Sequence, residues 1–338
     1  MIPHNLPTLD SAEEEAALRV IRSKQLSQNK EVESFENEFC DFLGLPHGHA
    51  VALSSGTSSL YLALEILGSK NKKIAFPGYV CSALRNAVSM AGGIEKIIDV
   101  EENSPNMNYN SLNKNSSDIT IVPHMYGIPI NFQKNYSLVI EDCCQSLGAK
   151  INKKMVGLNG DISIFSFYAT KLMTSGGQGG MLVSKNKDYV DRVKDYREFD
   201  LKNDKKNRFN FQMTDLQAAI GRVQLKKLPN FIRRREEIFQ YYKKAGLDLL
   251  DVDEKYSDII EPVRYRAILK TNSPQELIKS LNKVGVTSII PTEDWEILGE
   301  LNLLPNSLKF SRETISLPIY PSLTNDQLDI ILSGLIRK

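Results

Sequence analysis

The chain has 338 residues, 41% hydrophobic and 25% charged, and its 42 basic and 41 acidic side chains leave a formal net charge of +1. These are ordinary globular values, at a length that accommodates a large α/β domain and a smaller one, and with no basic block nothing points to nucleic acid or an acidic membrane as partner. No apolar run approaches the roughly 18 residues of a membrane helix, and residues 1–10 lack the basic and apolar regions of a secretory signal, so a soluble, cytoplasmic protein is expected.

Asp10-Ser-Ala-Glu-Glu offers an N-cap with acids in the first turn, and a helix is expected to run to about Ser23. A second, from about Glu31 to Leu43, sets Val32, Phe35, Phe39 and Phe42 at helical spacing before Gly44 stops it. His49–Leu53 reads as a short strand that runs through Ser54-Ser-Gly-Thr-Ser-Ser59 into a helix over Leu60–Leu67. A strand, a small-residue turn and a helix start can cradle an anion on free N–H groups and the helix dipole. Ser and Thr are equally good plain caps, so the turn alone supports both readings.

The alternation continues with strands at Lys73–Phe76, Ile94–Val100, Asp118–Val122 and Ser137–Glu141, and a helix over Ser82–Ala91. Strands separated by helices of about ten residues imply a mostly parallel sheet covered on both faces. The strand at 137–141 ends in Glu141-Asp142, carboxylates that can reach a ligand or simply cap the next turn. Asp161–Phe167 alternates as a buried strand, followed by Lys171 and the glycine-rich loop Thr174–Gly180. Ligands of α/β folds sit at the carboxyl ends of parallel strands, where a partly desolvated amine suits Schiff-base chemistry. A solvated loop lysine is the plainer alternative.

Met181–Ser184 is expected as a strand and Asp188–Tyr196 as a helix, with a charged, solvated loop at Asp200–Arg208. Thr214 caps a helix with Leu216, Ala219, Ile220, Val223 and Leu228 on one face, and a separate basic helix follows over about Asn230–Ala245. Beyond a polar link the pattern reads as a strand (Val263–Lys270), a helix (Ser273–Val284), a short strand near Val286–Ile290, an irregular stretch and a last helix from Thr324. The division expected is a large domain at 1–245 and a small α+β domain at 246–338. Four cysteines (40, 81, 143, 144) and four scattered histidines show no zinc spacing, so no metal is expected.

Four stretches together resemble the DegT/StrS sugar aminotransferases, enzymes of fold type I that depend on pyridoxal 5′-phosphate (PLP). Ser54–Leu60 is similar to their phosphate cup, Glu141–Ala149 to the segment carrying the pyridine-nitrogen aspartate, Gly160–Lys171 to the Schiff-base motif, and Phe209–Gly221 to a segment near the subunit interface. The likeness runs the length of the chain in order. It implies Lys171 as the Schiff-base and proton-shuttling amine of a ping-pong reaction, Asp142 on the ring nitrogen and Gln145 beside the ring. It also implies Gly56, Thr57, Ser58 and Ser166 on the phosphate, Cys81 in place of an aromatic ring stacker, and Asn210 reaching the phosphate of a neighbouring subunit's cofactor, hence a homodimer with shared sites. The implied reaction moves an amino group from L-glutamate or glutamine to a keto sugar, in a nucleotide-linked form. Sugar dehydratases of the same family replace the lysine by histidine, and a non-catalytic relative would tolerate its loss; Lys171 and Asp142 are both present. The chain departs from the family pattern in the loop after the lysine (one residue longer, Gln178 for Glu) and at Ile289-Ile-Pro291, where a histidine is usual. The link 246–262 and the region before Leu317 are also trimmed.

Overall fold

A computed structural model describes residues 1–109, 112, 116–134 and 137–335, so the last three residues of the expected C-terminal part lie outside the described residues. Two amphipathic helices lead the chain, α1 (Ser11–Ser23) and α2 (Lys30–Leu43). The next elements are β1 (Ala50–Leu53), α3 (Gly56–Ile66), β2 (Lys73–Pro77), α4 (Ala83–Met90), β3 (Ile94–Ile98), β4 (Ile119–Pro123) and β5 (Leu138–Asp142). A small hairpin, β6 (Lys150–Ile151) and β7 (Lys154–Met155), precedes β8 (Ile162–Ser166), β9 (Gly180–Val183) and α5 (Lys187–Arg197).

Seven strands form one sheet in the order β1-β9-β8-β5-β4-β2-β3. β8, β5, β4, β2 and β3 pair in parallel, and β9 is antiparallel to both β8 and β1. β1 therefore points the same way as β8, so β1, β2, β4, β5 and β8 all end on one edge of the sheet. The inner strands are buried on both faces, as parallel strands covered by helices must be, while the edge strand β3 is part-exposed. Along β1, Val51 and Leu53 join the cluster under α3 and α4, while Ala50 and Ala52 face α2 and its Phe35 and Phe39. β8 divides likewise, Ile162 and Ile164 to one side and Phe165 to the other. Phe39 meets Phe165 and Phe167 with ring centres 5.0 and 5.8 Å apart, a core that anchors the strand ahead of Lys171.

The two helices expected between 214 and 245 are one helix, α6 (Asp215–Lys244), with Pro229 inside it. Proline costs a helix interior about 3 kcal/mol. The buried stripe of Leu225, Leu228, Phe231, Ile238, Phe239 and Tyr242 carries the helix through. Tertiary burial overrides the local breaker.

The C-terminal part contains β10 (Ile260–Glu261), β11 (Ala267–Lys270), α7 (Pro274–Lys283), α8 (Pro305–Arg312), β12 (Thr314–Leu317) and α9 (Asn325–Leu335). β11 pairs antiparallel with β12, and β10 joins the β6–β7 hairpin. The strand expected from Val263 begins only at Ala267, because Arg264 adopts φ +47° and turns the chain. No strand forms at 286–290. Val286 bridges Ile2 and Ile289 bridges Ser316, two isolated contacts to different partners, and Pro291 follows without an N–H to extend a ladder. Ile2 is buried in the same cluster as Leu281, Val286 and Ile331, which fastens the N-terminal segment to this part of the molecule.

Candidate active site

The strand ends on the common edge enclose a cavity of about 240 Å³ lined by Gly56, Thr57, Cys81, Asp142, Gln145, Ser166 and Lys171 among others. Each reaches it through a local rule. Ser55 is extended and caps α3, its Oγ accepting from Ser58 N while Ser58 Oγ accepts from Ser55 N, both at 3.0 Å. The cap consumes the Ser58 N–H and hydroxyl, so Ser58 sits behind the lining. The first-turn N–H groups of Gly56 and Thr57 have no intrahelical partner and lie at the positive end of the helix dipole.

Close approach forces glycine at two of these positions. A Cβ on Gly56 would stand 2.8 Å from Ser166 Cβ, and one on Gly180 would stand 2.3 Å from the Ser55 carbonyl oxygen. The second clash is with backbone that cannot swing aside. Gly180→Ala is expected to displace the start of α3, cost about 1–3 kcal/mol and weaken binding of inorganic phosphate or PLP; urea denaturation and calorimetric titration check the two effects.

Asp142 closes β5 and is 6% exposed, its Oδ1 accepting from Cys144 N at 2.9 Å. Gln145 accepts from Tyr126 N at 2.8 Å, which fixes its amide at the cavity wall. Lys171 ends a turn in which its N–H donates to Tyr168 O at 2.9 Å, and its Nζ lies 5.4 Å from the centre of the Tyr265 ring. Burial works to lower its pKa, but the facing acidic groups, Tyr265 first, then Cys144, Asp142 and Cys81, raise it above the ordinary lysine value. Burial pushes the Cys144 thiol well up. Tyr265 is the counterpart: burial alone would raise it, and the charges of Lys171, Arg266 and Arg235 hold it below the usual phenol value.

Asn210 lies outside the lining of this cavity. It is exposed, with Oδ1 accepting from Gln212 N at 3.1 Å.

Sequence reasoning missed the layer that supports Asp142. His124, Glu141 and Cys143 lie with their ligand-type atoms within 4.8 Å of one another, all buried. Glu141 accepts from His124 Nε2 (3.0 Å), Gly157 N (2.7 Å), Asn159 N (3.0 Å) and Gly160 N (3.0 Å), while His124 Nδ1 accepts from Ile130 N (3.0 Å). Both carboxylate oxygens and both ring nitrogens are committed to hydrogen bonds, which accounts for the cluster without a metal. Burial raises the Glu141 pKa, and the bond from His124 with those from the Gly157 and Gly160 N–H groups more than offset it, leaving the group below the usual range. His124 was legible in principle, since it follows Pro123 at a parallel strand's carboxyl end. Tyr265 had no such signal. Among the described residues no helix is long and apolar enough to cross a membrane.

An amine, a carboxylate and an anion cradle around one cavity fit PLP, whose aldehyde, ring nitrogen and phosphate require those three donors. Fold and site together define a PLP-dependent aminotransferase of fold type I. The sequence profile of the DegT/DnrJ/EryC1/StrS aminotransferase family matches residues 7–335, and the chain belongs to that family. It is 28% identical to GDP-perosamine synthase of Escherichia coli O157:H7, over 99% of this chain and 97% of that protein. Its fold matches the aminotransferase TlmJ from Streptoalloteichus hindustanus (TM-score 0.89, 22% identity, 99% and 98% of the two chains). It also matches Helicobacter pylori PseC, an aminotransferase involved in pseudaminic acid biosynthesis (TM-score 0.87, 22%, 98% and 97%).

Proposed function

We propose that this enzyme transfers the amino group of L-glutamate, or glutamine, to a nucleotide-linked keto sugar in the cytoplasm, as a homodimer. The observation that carries the reading is the meeting of Lys171, Asp142 and the α3 N-terminus in one cavity. Sugar-nucleotide names among its relatives, such as GDP-perosamine synthase, support the acceptor class. In this reading residues 1–245 bind the cofactor and residues 246–338 complete the site with Tyr265 and its neighbours.

When bound, PLP supplies an aldehyde that captures amines and a ring that accepts negative charge. Lys171 Nζ would hold that aldehyde and would act as the base that moves a proton at the substrate carbon. Asp142 would keep the ring nitrogen protonated. The Gly56 and Thr57 N–H groups and the Ser166 hydroxyl would hold the phosphate, with Gln145 and Cys81 lining the same cavity. A thiol covers less of a ring face than an aromatic residue, so stacking at Cys81 is weak.

Borohydride reduction of the PLP-treated protein tests the assignment. The expected result is one covalent adduct, on the peptide carrying Lys171, with oxoglutarate released from L-glutamate by the unreduced enzyme. Adducts scattered over surface lysines would overturn it.

The dimer has its own test. If Asn210 serves the partner's cofactor, inactive Lys171→Ala and Asn210→Ala proteins, mixed and allowed to exchange subunits, regain about a quarter of the wild-type sites. No recovery despite demonstrated exchange would assign Asn210 to its own chain.

A further inference from the structure

Arg266 is a part-buried guanidinium with no acidic partner among the described residues. Other buried or part-buried arginines find anions or carbonyls: Arg264 pairs with Glu236 and Asp251, Arg222 with Glu31 and Glu38, and Arg197 with Glu36. Fully buried Arg235 donates to the carbonyls of Arg264, Tyr265 and Ile319. Among the described residues Arg266 has His4 Nε2 at 3.2 Å and Ser316 Oγ at 3.4 Å. Neither carries negative charge. Burial first, and the charge of Arg266 second, push the His4 pKa down to about 3, so the imidazole stays neutral at working pH. A guanidinium drawn partly out of water without a counter-ion is costly, and such a group beside a reaction centre is poised for an anion.

Its location is informative. Arg266 Cζ lies 5.4 Å from the centre of the Tyr265 ring, and Lys171 Nζ lies 5.4 Å from the same centre, so the two cations are at most about 11 Å apart. The surroundings are held firmly. Asn5 Nδ2 donates to the Thr170 carbonyl at 2.9 Å, tying the segment that bears His4 to the residue before Lys171. Tyr265 N donates to Tyr126 O at 3.1 Å, and Arg235 grips the Tyr265 carbonyl at 3.2 Å.

We propose that Arg266 binds a carboxylate of the amino donor while the donor nitrogen occupies the position of Lys171 Nζ. This deepens the aminotransferase reading and rests on it. The spans agree: by bond lengths the carboxylate carbons of an extended glutamate lie about 2.5 and 5 Å from its nitrogen. A guanidinium–carboxylate fork adds about 4 Å between carbons. Both totals fall within the bound set by Tyr265. One planar guanidinium with neutral neighbours matches the single charge of a carboxylate. A diphosphate, with two or more charges, calls for further cations or a backbone nest in direct contact, and the side chains hydrogen-bonded to Arg266, His4 and Ser316, are neither.

The test uses the cofactor-loaded and cofactor-free protein, with glutarate as an unreactive probe read by calorimetry. Arg266→Gln is expected to weaken glutarate binding about 10- to 100-fold and to raise the KM for L-glutamate by a similar factor, leaving the acceptor KM unchanged. Arg266→Lys keeps the charge and recovers part of the loss. Thermal denaturation of both variants near the wild-type midpoint excludes misfolding, because no ion pair is broken. Unchanged glutarate affinity in Arg266→Gln overturns the proposal, as does a loss that falls on binding of UDP or GDP instead. Glutarate binding that depends on Arg266 in a protein that deaminates no amino acid overturns the aminotransferase reading and leaves the anion site standing.

Discussion

Lys171→Ala is expected to lower the rate of amino transfer by about 10⁴-fold or more, since in the proposed reaction Lys171 is both the covalent anchor and the proton-moving base. Stability should fall only slightly. Burial works against the charged amine, but the facing acidic groups, Tyr265 first, more than offset it and hold its pKa above the ordinary lysine value, so the variant gives up a small net favourable interaction. Stopped-flow half-reactions with L-glutamate and a urea titration separate the effects. A variant that loses activity and unfolds together would make Lys171 a structural residue.

Glu141→Gln is expected to act in the opposite sense, on the fold first and on catalysis through it. The carboxylate is 1% exposed and accepts four hydrogen bonds. An amide would turn a donor toward those donors, and breaking such a buried set costs about 3–5 kcal/mol. The pH dependence has a definite sign. The folded pKa lies below the ordinary value of 4.5, so the group's contribution is fully present above the unfolded pKa and is lost as pH falls through the folded one. Wild-type stability should drop over that acidic window and the variant's less steeply, as denaturant titrations from pH 7 downward would show. Because Glu141 precedes Asp142 and steadies the 157–160 turn ahead of β8, the variant should also bind PLP more weakly.

Legibility differed from place to place in the chain. The β/α alternation and most element ends were readable because period-2 and period-3.6 burial leave direct marks on sequence. The positions of Asp142 at a strand end and Lys171 just past one were readable for the same reason, once the sheet was taken to be mostly parallel. Pro229 misled because a local breaker cannot report the stripe that buries Leu228 and Phe231 around it. The strand expected at 286–290 failed because its bridges go to Ile2 and Ser316, remote in sequence. α8 and β12 went unread in a stretch that seemed irregular, because their packing partners are also distant.

Local pattern determined the β/α alternation, the capped start of α3 and the placement of Asp142 at a strand end with Lys171 just beyond another, since each needs only neighbours in the chain. The order of the strands and what stands around those groups were decided by tertiary structure: Glu141 locked by His124, Tyr265 set against Lys171, and Arg266 beside His4 with no anion among the described residues. Charge pairing depends on which side chains meet in space and how much water remains between them. That is fixed only when elements as far apart as residues 4, 171 and 266 close on one another.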